Sequence, residues 1–395
     1  MIQNKEKNTY ALWLPSWYPN VLTPLNGDFI KRHAEAVSLY ENIVVLHIQK
    51  DEMGVVTKNT KETIHTTDSL TEIIVYYHPP KTHIGIIDKL LSYIWHRRSY
   101  RKFIQRLIVK NGKPRFVHVH VAYKVAGIAL WVKRKYGLPL ITSEHWSGYL
   151  KEAKNGWKQL LYIERHFLKR CFLESNRVTS VSKYLGDALI EEIRIDSVEV
   201  VPNVVDTNIF NLKESAIKSP LQFIHISSGG PEKNIELILE ACSIIKKKGL
   251  DYKVWLVIPN KKKIEPTVIR WNLTENIVFL DEMPQTKLAE YIQNSDALIL
   301  YSRYETFGCV VIEANACGIP AIVSDLPTFR EYCVENKTAL FAGMNNSSML
   351  ARQMMHLIEN KDSFDRQTIA EQTRQRFSYE TVGQQFKELY TTISS

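Results

Sequence analysis

Short apolar runs rich in Val, Ile and Leu alternate with longer amphipathic stretches along nearly the whole chain. The runs are too short for helices and are bounded by polar or turn-forming residues, so they predict buried strands. The stretches between them predict helices that cross from one parallel strand to the next. A first set of strands is predicted at 10–15, 43–48, 73–77, 116–120, 140–142 and 178–181, and a second at 221–226, 253–258, 277–280, 297–301 and 321–324. The segment 198–210 separates the sets, with a Pro202-Asn203 break and an Asp206-Thr207-Asn208 turn signal. The pattern therefore predicts an α/β chain of two doubly wound parallel-sheet domains, 1–200 and 201–376. No short repeat or low-complexity tract interrupts it.

A length of 395 residues suits two domains, and 45% apolar content suffices for their cores. The polar start and the lack of any apolar run of ~18 residues give no leader or spanning helix, so a cytoplasmic protein is expected. Five cysteines, odd in number and without a Cys-x-x-Cys pair, are expected to be reduced thiols. The net charge of +9 is concentrated in one place. Between residues 89 and 115 lie Lys89, Arg97, Arg98, Arg101, Lys102, Arg106, Lys110, Lys113 and Arg115, with no acidic residue, interleaved with Leu90, Leu91, Tyr93, Ile94, Trp95, Phe103 and Ile104. A basic amphipathic helix over 84–115 is expected, suited to peripheral contact with an anionic membrane surface or to packing on its own domain. No groove-reading motif accompanies it, so nucleic acid is not an expected partner.

The stretch 302–320, SRYETFGCVVIEANACGIP, concentrates the chemistry. A strand precedes it, Gly308 opens a helix, and Gly318 and Pro320 close that helix. The amides of Phe307, Gly308 and Cys309 would lie at a helix start, where unpaired N–H groups and the positive dipole end suit a diphosphate. Gly308 would also leave room for phosphate. Glu305 before the turn and Glu313 after it are acceptor-only carboxylates, each able to take hydrogen bonds from a pair of sugar hydroxyls. No Asp-x-Asp and no His/Cys group with ligand spacing occurs in the sequence, so no metal or other cofactor is expected. A Gly-x-Ser-x-Gly elbow and a P-loop are also missing.

Two glutamates flanking Phe307-Gly308, with the VPNVVDTNIF segment at 201–210, resemble the retaining glycosyltransferases of family 4, whose GT-B fold has two Rossmann-like domains facing a central cleft. The resemblance covers nearly the whole chain and implies that a final helix over 377–395 returns to the first domain. It implies that Glu305 contacts donor-sugar hydroxyls, that Thr306, Phe307, Gly308 and Cys309 surround the distal phosphate, and that Glu313 holds the ribose. In the first domain it implies that Gly27 belongs to a loop facing the donor phosphates, that His120 meets the donor sugar, and that His145 lies on the acceptor side. Lys233, in SSGGPEKN after the strand at 221–226, matches the family's phosphate-binding lysine. The chain departs from the family in placing Ser228 where relatives have an arginine. Either Lys233, a nest of Gly229 and Gly230 amides and the helix dipole suffice, or Arg32 or Arg303 substitutes, or catalysis is weakened.

These readings converge on transfer of a hexosyl or N-acetylhexosaminyl unit, with retention, from a nucleotide diphosphate sugar to an acceptor hydroxyl. A UDP-sugar is favoured over GDP-mannose, with base selectivity placed near Pro259 or Met283-Pro284. The basic region suggests a lipid-linked saccharide or other glycan acceptor in surface polysaccharide or glycolipid assembly. A sugar-nucleotide epimerase, or a non-catalytic protein that binds sugar nucleotides or polyanions, would be the alternatives.

Overall fold

The computed structural model describes residues 9–79, 82, 84–213 and 220–393; the polar start at 1–8 lies outside them. The chain divides into two compact units, one of Met1–Pro202 with Tyr379–Ser395 and one of Asn203–Ser378.

In the first unit the described strands are β1 (Ala11–Pro15), β2 (Ile43–Lys50), β3 (Thr60–Thr66), β4 (Leu70–Tyr77), β5 (Val117–His120), β6 (Leu140–Glu144), β7 (Arg177–Ser180) and β8 (Glu199–Val200). They form one sheet in the order β3-β4-β2-β1-β5-β6-β7-β8. All neighbours pair in parallel except β3, which lies antiparallel on β4. The central strands β1 and β5 are buried throughout, as expected for strands covered on both faces. Sequence pattern does not find β3, because its residues Thr60, Lys61, Glu62, Thr63, Ile64, His65 and Thr66 are polar apart from Ile64 and lie exposed or half-buried on an edge. It also misses the two-residue β8.

The second unit contains β9 (Leu221–Ile226), β10 (Tyr252–Val257), β11 (Ile277–Leu280), β12 (Ala297–Leu300), β13 (Ala321–Ser324) and β14 (Ala339–Ala342). Their order is β11-β10-β9-β12-β13-β14, parallel throughout. Counted from β9, this is the 3-2-1-4-5-6 order of a dinucleotide-binding fold, with its reversal between β9 and β12. The helix Ile235–Lys247 shows how the crossovers hold. Ile235, Ile238, Leu239, Cys242 and Ile245 repeat at helical spacing and bury against Phe223, Val254 and Ile299 in the same core. Pattern alone misses β14, since four residues after a turn are too short to register.

The last helix, Tyr379–Thr391, belongs to the first unit and packs along the helix Asp28–Ser38. Tyr379 donates to Glu35 at 2.8 Å, and the Tyr390 hydroxyl lies 2.7 Å from His118 Nδ1. Gly383 allows the close approach, because a Cβ there would lie 2.3 Å from the Ala36 carbonyl oxygen. Backbone cannot yield as a flexible side chain can. Gly383→Val is therefore expected to cost about 1–3 kcal/mol by overpacking and to lower hydrogen-exchange protection in both helices; unchanged protection would refute this packing role.

Candidate functional site

In an open α/β sheet, ligands gather beyond the carboxyl ends of the strands where the strand order reverses. In the second unit the two loops at that point are 227–234, after β9, and 301–308, after β12. Lys233 comes from the first and Glu305 from the second, and their side chains meet at 2.6 Å. Both are mostly enclosed, the lysine 20% and the glutamate 11% exposed. Burial opposes the Lys233 charge, yet pairing with Glu305 outweighs it and holds the ammonium above its ordinary pKa. Ser302 donates to the same Glu305 oxygen at 2.8 Å, so the carboxylate is oriented from its own loop as well.

The loop bearing Glu305 is fastened on several sides. Ser324 donates to the Ser302 carbonyl at 2.7 Å, Thr328 to the Thr306 carbonyl at 3.0 Å, and Tyr332 to the Phe307 carbonyl at 2.7 Å. The Arg303 amide donates to the Glu232 carbonyl at 2.7 Å, joining the two loops through backbone. The Phe307 ring is buried, stacked on Tyr332 at 4.9 Å and edge-on to Phe377, so its part at any ligand falls to its main chain. Gly308 caps the helix Cys309–Ala316 in the left-handed region, with φ 89°. A Cβ there would lie 2.7 Å from the Phe329 ring, so backbone conformation and packing, rather than space for phosphate, require the glycine. Cys309 begins the helix, and Glu313, one turn on, is buried.

The opposite loop corrects one expectation. The Gly229 amide donates to Ser227 Oγ at 3.2 Å and the Gly230 amide to Ser228 Oγ at 3.4 Å, so serine hydroxyls occupy the proposed glycine nest. Ser227 Oγ also lies 2.8 Å from Nε2 of buried His225, whose pKa burial lowers to about 4. Exposed Ser228 lies 3.5 Å from Glu232 Oε1, and Arg303 Nε donates to the Pro231 carbonyl at 3.2 Å. Arg303 is thus the guanidinium on the rim of the Ser228 loop. Arg32 lies in the first unit, paired with Asp28 at 3.0 Å.

The first unit has its own reversal, between β1 and β5. Ser16, just after β1, accepts from the Lys124 amide at 3.0 Å across this point. Gly27 caps the helix Asp28–Ser38 with φ 76°, and a Cβ there would lie 2.5 Å from the Trp17 carbonyl carbon, so this glycine too is required by its own loop. His120 ends β5 and His145 follows β6; both are buried, with His120 Nδ1 and His145 Nε2 3.4 Å apart. His33, from the helix Asp28–Ser38, completes a buried group whose ring nitrogens lie within 4.8 Å of one another.

No sequence spacing announces that group, and it revises the expectation of no histidine cluster. Neutral imidazoles are metal ligands, and these three residues could each offer one nitrogen to an ion. Burial lowers the His33 pKa to about 4 and puts His120 and His118 well below the ordinary value. The rings of His33, His118 and His120 are therefore neutral at pH 7, and a neutral imidazole can both donate and accept a hydrogen bond.

Sequence reasoning passed over Glu144, the last residue of β6, which is fully buried. One of its oxygens accepts from the His145 and Trp146 amides, both at 2.9 Å, and the other from the Ala122 amide at 3.3 Å. It therefore ties the turn after His120 to the turn carrying His145. Between them Val121 sits at φ 58°, a rare conformation for a β-branched residue that the surrounding bonds must hold. The only linear signal was an acid beside a candidate histidine at a strand end.

With these geometries in place, the comparisons with known proteins define the class. Residues 37–209 match the family described as Glycosyltransferase Family 4, and residues 208–376 match Glycosyl transferases group 1. The chain belongs to this GT-B family of glycosyltransferases. It is 25% identical over 297 residues to an uncharacterised glycosyltransferase of Methanocaldococcus jannaschii, covering 74% of this chain and 79% of that protein. It is 22% identical over 320 residues to the alpha-monoglucosyldiacylglycerol synthase of Streptococcus pneumoniae, covering 74% and 70%. The structure of HepE from Anabaena in complex with UDP-glucose aligns at a TM-score of 0.69 with 13% identity, over 97% of this chain and 99% of that one.

Burial pushes the Glu144 carboxyl up to about 7, against the three amides that favour its charged form. Between the ordinary carboxylate value near 4.5 and 7, the folded protein thus holds a proton that the unfolded chain has released, and this contribution to stability declines as pH rises. The buried histidines act in the opposite sense, so the comparison needed is between the wild type and Glu144→Gln. The variant is expected to gain on the wild type by about 1–3 kcal/mol from pH 5 to pH 8 in denaturant unfolding; a constant difference would refute the assignment.

Proposed function

We propose that this glycosyltransferase moves a hexosyl or N-acetylhexosaminyl unit, with retention of anomeric configuration, from a nucleotide diphosphate sugar bound by its second unit to an acceptor hydroxyl. The observation that carries the reading is the Lys233–Glu305 pair at the sheet's reversal, beside the start of the helix Cys309–Ala316. A diphosphate at that helix start would meet main-chain donors and the positive end of the helix dipole, with the Lys233 ammonium alongside. As charge grows on the departing phosphate, Lys233 shifts its attraction from Glu305 toward it. Glu305 is then able to accept hydrogen bonds from sugar hydroxyls, and Glu313 serves the ribose.

Catalysis in this reading is orientation and charge stabilisation, with front-face attack and the leaving phosphate helping to remove the acceptor proton. It needs no protein nucleophile and no metal. Arg303, on the rim of the loop carrying Ser228, is our choice for the second cation at the leaving group. His120 would meet the sugar as a neutral imidazole, and His145 would lie on the sugar or acceptor side. The HepE complex supports a UDP-sugar donor, and the pneumococcal relative, named as a synthase of a glucosylated diacylglycerol, supports a lipid-bearing acceptor.

Ligand-observed NMR with uridine, guanosine and adenosine diphosphate sugars, run in EDTA, tests the donor. Saturation transfer to a UDP-sugar, followed by release of UDP when acceptor is added, is expected. Binding without release would favour the non-catalytic alternative, and loss of binding restored only by a divalent metal would overturn metal independence.

A second measurement separates the acids. Glu305→Ala is expected to lower turnover about 100-fold or more, as for loss of a group acting mainly in the transition state, with calorimetric affinity for free UDP nearly unchanged. Glu313→Ala is expected to weaken UDP about tenfold. Equal losses of UDP affinity in the two variants would contradict the division of roles.

A further inference from the structure

The helix Gly85–Asn111 is packed along only part of its length. Its buried residues are Tyr100, Phe103, Ile104 and Leu107, a helical stripe confined to the C-terminal half. Ahead of Tyr100, Ile86, Ile87, Leu90, Leu91, Tyr93, Ile94 and Trp95 include no buried residue, and Ile86 and Leu90 are 82% and 57% exposed. Leu91, Ile94 and Trp95 are half-buried, whereas Ile86, Ile87, Leu90 and Tyr93 lie exposed, and a helix that needed only its own domain would not repeat large apolar side chains at exposed positions.

A second exposed apolar segment adjoins it. Leu161 and Tyr162, at the start of the helix Tyr162–Leu173, are 68% and 78% exposed, and Ile163 is exposed beside them. The helices meet through Arg97, whose guanidinium lies over both Tyr93 and Phe167, at 5.4 and 5.5 Å from the ring centres. Arg97 also donates to the Tyr93 hydroxyl at 2.6 Å. Phe167 lies one turn after Ile163, and Arg97 one turn after Tyr93, so both apolar helix starts lead back to this contact.

We propose that the starts of these two helices form one docking surface for an anionic lipid bilayer. The apolar side chains would enter the headgroup boundary while the exposed Lys89, Arg98 and Lys102 face lipid phosphate. Charge selects this occupant, because two such basic surfaces would repel each other if a second copy of the chain were the partner. Among the described residues no helix is long and apolar enough to cross a membrane, so the contact is peripheral as far as those residues go. The inference rests on the membrane reading of residues 84–115 and adds to it Leu161, Tyr162 and Ile163, which the basic region does not include.

Flotation of the full chain with phosphatidylcholine vesicles, with and without phosphatidylglycerol, tests it at low salt. Binding is expected only with phosphatidylglycerol. The pair Ile86→Ser and Leu90→Ser, and separately the pair Leu161→Ser and Tyr162→Ser, are each expected to weaken it about tenfold. All four positions are exposed, so circular dichroism should be unchanged. Full binding by the 161/162 variant would overturn the two-helix surface while leaving the basic helix as a membrane contact. Failure of the wild type to bind would overturn both, and neither result bears on donor binding measured by NMR. A concentration-dependent dimer abolished by the same substitutions would overturn the lipid assignment in favour of a second copy.

Discussion

The reversal of strand order in each sheet is the constraint on which the candidate chemistry depends. Parallel strands deliver all their outgoing loops to one edge, and at a reversal the crossover helices depart to opposite faces, leaving the two loops there free to approach each other. In the second unit this brings together Lys233 and Glu305, 72 residues apart in sequence. In the first it brings the loop after β1 to the turn after β5, where Ser16 accepts from the Lys124 amide. Residues with little in common along the chain become neighbours because each follows a strand.

Once brought there, the loops are held by hydrogen bonds that leave the charged groups at the centre. Side-chain hydroxyls of Ser324, Thr328 and Tyr332 satisfy carbonyls of the segment carrying Glu305, and Ser227 and Ser228 satisfy the glycine amides of the segment carrying Lys233. Those carbonyls and amides are already paired, and the Lys233–Glu305 ion pair lies between the two loops they hold. A pair this enclosed is costly to break by deleting one partner, since the other charge is left buried. In the proposed reading, an incoming phosphate would avoid that cost by taking the place of Glu305 beside Lys233. The first unit solves a related problem with Glu144, which holds two histidine-bearing turns and a strained Val121 through three backbone amides.

Much of the fold was legible because parallel strands buried on both faces are written as apolar runs, and β1, β2, β9, β12 and β13 read directly as such. The edge strand β3 was not, because an exposed edge has no need of apolar residues, and β14 was too short to stand out. The turn into the helix at Gly308 was also legible, yet the reason for its glycine was not. Linear sequence gives no sign that Phe329, 21 residues later, occupies the space a Cβ would need.

The sequence by itself determined the two doubly wound units, the family, and the residues that end strands or open helices, since these depend on local spacing and on motifs read in one dimension. Tertiary structure alone decided that Glu305 pairs with Lys233, that the glycine amides at 229 and 230 meet serine hydroxyls, and that His33 joins His120 and His145. It also decided that Ile86 and Tyr162 lie exposed on helices joined through Arg97. The physical reason is the same in each case. Pairing, burial and pKa depend on distances between side chains from different elements, and those distances are set by how the crossovers pack the elements together.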